Sequence, residues 1–225
     1  SVGVFIRSRF ILLASSVMLA FWNFWRCDAG QGPNFYYLAV LAVLLWGAFA
    51  LSSRLTVFSV LAGFLIWLGV GLLDFYSFSG PEAFLLFFLT GILFLLSAQL
   101  HEALGRSFFS SVYRITGIAV SAFVAYLCTF SFLDDLPSTN RAFFYVPILI
   151  LIVLAQGALI FFKKQKRILY EAGLVALSLV FALFYFFSQN PLAVVIAGNL
   201  FLLILALSIM VSGYLNREKA LVNAG

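Results

Sequence analysis

Few residues of this 225-residue chain could do chemistry. There is one histidine, His101. Bis-histidine haem ligation needs two imidazoles and a histidine-rich metal site needs more ligands, so His101 alone supports neither. The two cysteines, Cys27 and Cys128, form no CxxC pair, which argues against a disulfide scaffold and a thiolate metal centre. A retinal Schiff base needs a lysine inside an apolar span, but the lysines stand at 163, 164, 166 and 219, in one basic turn and the tail. A Ser-His-acid site would have to use His101, and no GxSxG elbow lies near it. No glycine loop occurs in a strand-turn-helix context that would cradle a nucleotide. The expectation is therefore no catalytic set, no cofactor and no resident metal.

The densest polar group, expected on the cytoplasmic side, is Gln99, His101, Glu102, Arg106, Arg114, Arg167 and Glu171. Glu102 and Arg106 are four apart, so on one helix they would share a face and could pair. Arg114 and Glu171 each stand near the start of an apolar block, where the two could meet. Such a group could bind a lipid headgroup or another anion, or gate protons. The plainer reading, which we favour, is interfacial anchoring by side chains that snorkel to water. Lys163, Lys164, Lys166 and Arg167 form a basic run. It could contact anionic lipid, where each such charge contributes about 1 kcal/mol near the surface, but it reads first as a topology determinant. Deep within apolar blocks lie Asn23, Gln156 and Asn199, together with Thr90, Tyr126 and Cys128. Carboxamides there are expected to bond across helices, at about 0.6 kcal/mol each, or else to line a polar path. Mid-membrane carboxylates and cations are missing from the blocks, which argues against a proton-coupled pump.

The elements that must position these residues follow from composition. Hydrophobic residues make up 64% of the chain and charged residues 9%, against about 25% charged in a soluble domain. The apolar residues come in blocks long enough to approach the roughly 20 residues that cross a bilayer core as a helix. Lipid leaves no partner for unpaired backbone groups, so the blocks should be helices. The alternation of a lipid-facing barrel is not seen. The first block does not read as a cleavable signal peptide, because Arg7 and Arg9 precede Phe10–Trp25 but no small-residue cleavage site follows.

The predicted fold is all-α, an integral membrane bundle of eight transmembrane helices in a single domain over 1–225. The spans are Ser8–Trp25, Asn34–Leu51, Leu55–Leu73, Ala83–Leu100, Tyr113–Leu133, Ala142–Phe162, Ile168–Phe187 and Leu192–Leu215. Alternating sides divides the 13 basic residues unevenly: all but Arg26 and Arg141 share the side of both termini. That positive-inside bias makes the termini cytoplasmic and the membrane a bacterial inner membrane, crossed many times. The outer side collects Asp28, Asp74, Glu82, Asp134 and Asp135. Trp22, Trp25, Tyr36, Tyr37, Tyr76, Tyr145 and Tyr185 fall near outer ends, and Tyr113, Tyr170 and Tyr214 near inner ends, as amphipathic rings prefer. Connections are short, which leaves no room for a soluble domain.

A loose repeat runs through the odd spans. Each closes in an aromatic run followed by Pro33, Pro81, Pro137 or Pro191. The prolines recur about every 50 residues, a period that fits stacked helical hairpins, four in all. Arg114-Ile-Thr-Gly117 opens a span that closes in Phe130-Ser131-Phe132, and the tail Arg217–Gly225 reads like the start of another hairpin. On these short motifs the second half of the chain resembles uncharacterised bacterial polytopic membrane proteins of a domain-of-unknown-function type, built of repeated helical hairpins. The resemblance implies a hairpin architecture and carries no site residues. With Ser1 first and Gly225 last, a longer natural chain is expected.

Small residues give packing expectations. Gly117, Ser121 and Ala125 recur every four residues, as do Ser178 and Ala182, and Ser208 and Ser212. That spacing lets backbones approach closely, which makes spans five, seven and eight interior, with Gly63, Gly69 and Gly71 acting similarly on span three. The expected function is non-enzymatic: a subunit, scaffold or partner-binding module whose partners are membrane lipids and other membrane subunits, with no nucleic acid. The alternatives are a transporter or channel for a small solute or lipid, and an intramembrane lipid-modifying enzyme using His101 and Glu102.

Overall fold

In the computed structural model, residues 8–28, 35–70, 80–129, 142–162, 166–188 and 190–215 are described. They form eight α-helices and, among the described residues, no strand. These are α1 (Arg9–Asp28), α2 (Phe35–Ala50), α3 (Arg54–Val70), α4 (Gly80–Ala103), α5 (Ser107–Cys128), α6 (Ala142–Phe162), α7 (Lys166–Phe187) and α8 (Pro191–Leu215). Over the described residues, each apolar block of the sequence thus holds one of these helices.

Three of them are long and apolar enough, over their described residues, to cross a bilayer core: α4 over Glu82–Ala103, α5 over Phe108–Cys128 and α8 over Pro191–Val211. The apolar stretches Phe35–Ala50, Arg54–Val70, Tyr145–Phe161 and Ala172–Phe187 are shorter. At 1.5 Å per residue the 16 residues of α2 rise about 24 Å, short of a core of about 30 Å.

The largest difference from the sequence reading is at α5. It starts at Ser107, well before the expected Tyr113. The chain leaves α4 through Gly105 at φ +73° and re-enters helix at once, a left-handed residue that glycine adopts without a Cβ penalty. Arg114 therefore lies two turns inside α5. Glu102 and Arg106 no longer share a helix face, because the helix stops between them.

The helices do not pack as four equal hairpins. The most extensive interface is α4 with α5, two helices the proline repeat assigns to different units. By contrast α3 and α4 touch only lightly, and α5 and α6 are not among the closely packed pairs. Two groups result. α1, α2 and α3 enclose a small core of Leu12, Tyr37, Leu41, Leu44, Val60 and Trp67. α4 to α8 enclose the larger one, around Phe88, Ile92, Val175, Phe181 and Phe201. A third cluster, with Ala48, Val57, Phe94, Ala98, Phe109 and Tyr113, joins the groups through α2, α3, α4 and α5.

Glycine and serine decide which surfaces meet. A Cβ at Gly117 would stand 2.8 Å from the Gly91 carbonyl oxygen, and one at Gly91 would stand 2.6 Å from Ser121 Oγ. Backbones are in direct contact there, the close approach that small residues permit. The stripe Gly117–Ser121–Ala125 behaves as expected: its last member faces Gly198 of α8, whose Cβ would lie 3.3 Å from the Ala125 oxygen. Gly63 also acts as expected, against Tyr37 and Ala20, and Gly69 meets Phe87. Gly71 and Ser212 are outside the described residues or side chains. Ser178 and Ala182 are buried, so α7 faces inward there. The assignment of α8 to the interior is corrected. Only 22% of its span is buried, against 67% for α4, which is the central helix. A small-residue stripe marks one face, and that face of α8 is narrow.

Candidate functional site

Four of the seven residues of the expected polar group gather where α4 turns into α5. Glu102 bonds Arg114 at 3.6 Å, with both side chains about four-fifths shielded. Arg114 also donates to Ser110 Oγ at 3.1 Å, and Ser110 is fully buried one turn earlier on α5. His101 Nδ1 lies 2.8 Å from the Ser97 carbonyl oxygen, one turn back on α4. A carbonyl only accepts, so Nδ1 carries the proton and Nε2 is the edge left to meet something else. The imidazole is enclosed by rings: Tyr113 stacked at 4.9 Å, Phe49 at 5.5 Å and Phe109 at 6.3 Å between centroids. Arg106 caps the start of α5 without a side-chain cap bond and is exposed. The side chains of Arg167 and Glu171 lie outside the described ones, as do those of Lys166 and the whole of Lys163 and Lys164.

Gln99 extends the same end of α4 inward. It is fully buried and its Oε1 accepts from Gln156 Nε2 at 2.9 Å, tying α4 to α6. This is the cross-helix carboxamide bond expected of Gln156, with a partner the sequence reading had placed in the cytoplasmic group. The pair is half satisfied: Gln99 Nε2 and Gln156 Oε1 remain buried without partners.

The other deep polar residues separate. Asn199 is exposed on α8 and donates to its own helix at the Val195 oxygen, 2.9 Å away. Thr90 likewise bonds back to the Leu86 oxygen. Neither crosses to a neighbour, because sequence spacing does not say how a helix is rotated. Tyr126 is exposed and Cys128 buried. Asn23 is wholly buried in the α1–α2–α3 group, and both its amide atoms lack a hydrogen-bond partner. Tyr37 Oη, buried beside Gly63, also lacks one.

No protein-family model, curated protein or solved structure matches the chain. The chemistry of this end must therefore be argued from its own residues.

Sequence reasoning missed several contributors. Ser16 Oγ donates to Ser59 Oγ at 2.8 Å, which ties α1 to α3. Ser16, Ala20 and Asn23 form a stripe at helical spacing, a signal that was present but diluted by the exposed aromatics around it. Arg54 Nε donates to the Phe108 oxygen at 3.0 Å with its guanidinium 4.1 Å over the Phe108 ring. Arg9 Nε donates to the Leu51 oxygen at 2.9 Å. These long-range clamps carry no local signature.

Apolar grooves open between helices. One of about 420 Å³ lies between α2, α3, α4 and α5, and includes Leu45, Phe94, Ser97 and Tyr113. Another of about 700 Å³ runs between α3 and α5, with Phe58, Phe87 and Phe123. Two more, of about 720 Å³ and 380 Å³, lie along α6. Asn23, Gln156 and Asn199 line none of these four.

Proposed function

We propose that the chain is an eight-span protein of a bacterial cytoplasmic membrane, with both termini in the cytoplasm, and that it acts without catalysis as a subunit, scaffold or partner-binding module. The uneven division of the 13 basic residues supports the topology. The observation that carries the functional reading is the Gln99–Gln156 bond. This buried carboxamide pair joins two helices, and the grooves along α6 are apolar. A module of this kind presents apolar faces to other helices and to lipid.

Two experiments test the proposal. Cysteines introduced by K164C and D134C, both positions outside the described residues, should label from opposite faces of sealed vesicles. Labelling from one face would overturn the span count. Crosslinking in native membranes followed by detergent purification should recover a stoichiometric membrane partner. Recovery of the chain alone, at full crosslinking of a known control complex, would overturn the module reading.

A second reading, passage of a lipid along the protein, is favoured by the size and apolar lining of the grooves. It predicts that a bulky residue within a groove stops lipid movement in reconstituted vesicles.

A further inference from the structure

The groove between α2 and α4 leads toward the turns that join α2 to α3 and α4 to α5. Along α2 it follows Leu38, Ala42 and Leu45; along α4 it follows Thr90 and Ser97. Each row continues at helical spacing to an aromatic ring, Phe49 on α2 and His101 on α4, whose centroids are 5.5 Å apart. The apolar groove thus runs toward an imidazole that stacks on Tyr113 and whose Nδ1 is engaged by Ser97, both of them groove residues. Just past these two rings come the α2–α3 and α4–α5 turns, and with them positive charge. Arg106 is exposed in the second turn. Arg54 and Arg9 are held beside the turns, each through Nε on a main-chain oxygen, which leaves the outer guanidinium nitrogens of both turned away from that bond. Among the described residues at this end, the carboxylate is Glu102, which is already bonded to Arg114. Three arginines therefore stand at these two turns without a described carboxylate partner.

We propose that this groove seats one acyl chain of an anionic phospholipid, with its phosphate bound at the His101–Arg106 end and drawn there by the field of Arg54 and Arg9. An apolar trough ending in excess positive charge is complementary to a ligand with the reverse arrangement. Arginine offers bidentate donors to phosphate, and an Nε already tied to a carbonyl orients the rest of the group beforehand. The site rests on the membrane reading above, and alkaline extraction tests that reading separately. If the full chain is released from membranes at high pH, the membrane reading fails. If it is retained, the lipid test stands alone.

The test is thermal unfolding of the full chain in a neutral detergent with added dioleoyl-phosphatidylglycerol, dioleoyl-phosphatidylcholine or inorganic phosphate. The expected result is a rise in unfolding temperature with phosphatidylglycerol, roughly 5–10 °C at a hundredfold excess over Kd, and little change with the other two. Arg106→Gln, at an exposed position that should fold normally, is expected to remove most of the rise. Ala42→Trp, which fills the groove, should remove it without altering the charge. An equal rise with phosphatidylcholine, an equal rise with inorganic phosphate alone, or a full rise retained in Arg106→Gln would each overturn the proposal.

Discussion

Replacing Gly117 by leucine should destabilise the molecule strongly. The Cβ alone would stand 2.8 Å from the Gly91 carbonyl oxygen and 3.0 Å from the Leu95 backbone nitrogen. Both are backbone atoms of the central helix, so they cannot swing aside as a side chain would. Overpacking of this kind costs typically 1–3 kcal/mol, and the remaining atoms of leucine place it at or above the top of that range. Gly117→Ala separates the two contributions. Alanine gains about 1 kcal/mol of helix propensity over glycine, which offsets part of the clash and leaves a net loss of at most about 2 kcal/mol. Gly157 and Gly173 are the controls, because a Cβ at either meets nothing within 4 Å. Alanine there should be neutral or stabilising, by at most about 1 kcal/mol. The assay is detergent unfolding followed by tryptophan fluorescence, with folded yield from size-exclusion profiles. An unfolding midpoint for Gly117→Leu equal to that of the unsubstituted chain would refute the backbone contact. A loss in Gly157→Ala as large as in Gly117→Ala would show that glycine loss in general, and not the α4–α5 contact, sets the effect.

Three further outcomes follow from the buried polar groups. Gln156→Leu should cost about 1–3 kcal/mol, since it leaves Gln99 wholly unpaired, while Gln99→Leu with Gln156→Leu should be nearly neutral; equal losses in both variants, read by the same unfolding assay, would count against the pair. Asn23→Leu should leave stability unchanged or raise it, because both amide atoms are buried without partners; a large loss of folded yield would mean that a bound partner completes Asn23. Arg114→Gln should destabilise, by about 1–3 kcal/mol, because it removes the cation 3.6 Å from the shielded Glu102 carboxylate; Glu102→Gln introduced with it should recover part of the loss, and failure to do so would remove the ion pair as the cause.

How much was legible in the sequence differs from residue to residue. Span six was expected at Ala142–Phe162, and α6 has those bounds. Its ends are marked by an abrupt change from polar to apolar residues. The start of α5 was misplaced because the serines at 107, 110 and 111 interrupt the apolar block, whereas the glycine at 105 lets the chain reverse in three residues. Gln156 was identified as a carboxamide that should cross to a neighbour. Its partner Gln99 was assigned to the cytoplasmic group, since residue type alone does not report the depth of a helix end. Asn199 carried the same sequence signal as Gln156 and faces outward.

The amino-acid sequence by itself determined the helices. A chain with 64% hydrophobic residues in long blocks must satisfy its backbone within each block, whatever its neighbours do. It also determined that Gly117, Ser121 and Ala125 would permit close approach. Tertiary structure alone decided which helix approached: Gly91 of α4 for the first two and Gly198 of α8 for the third. The physical reason is range. Hydropathy and helical spacing act within a few turns of one helix, whereas Arg54 on Phe108, Ser16 on Ser59 and Gln156 on Gln99 are set by the rotation and depth of whole helices against one another.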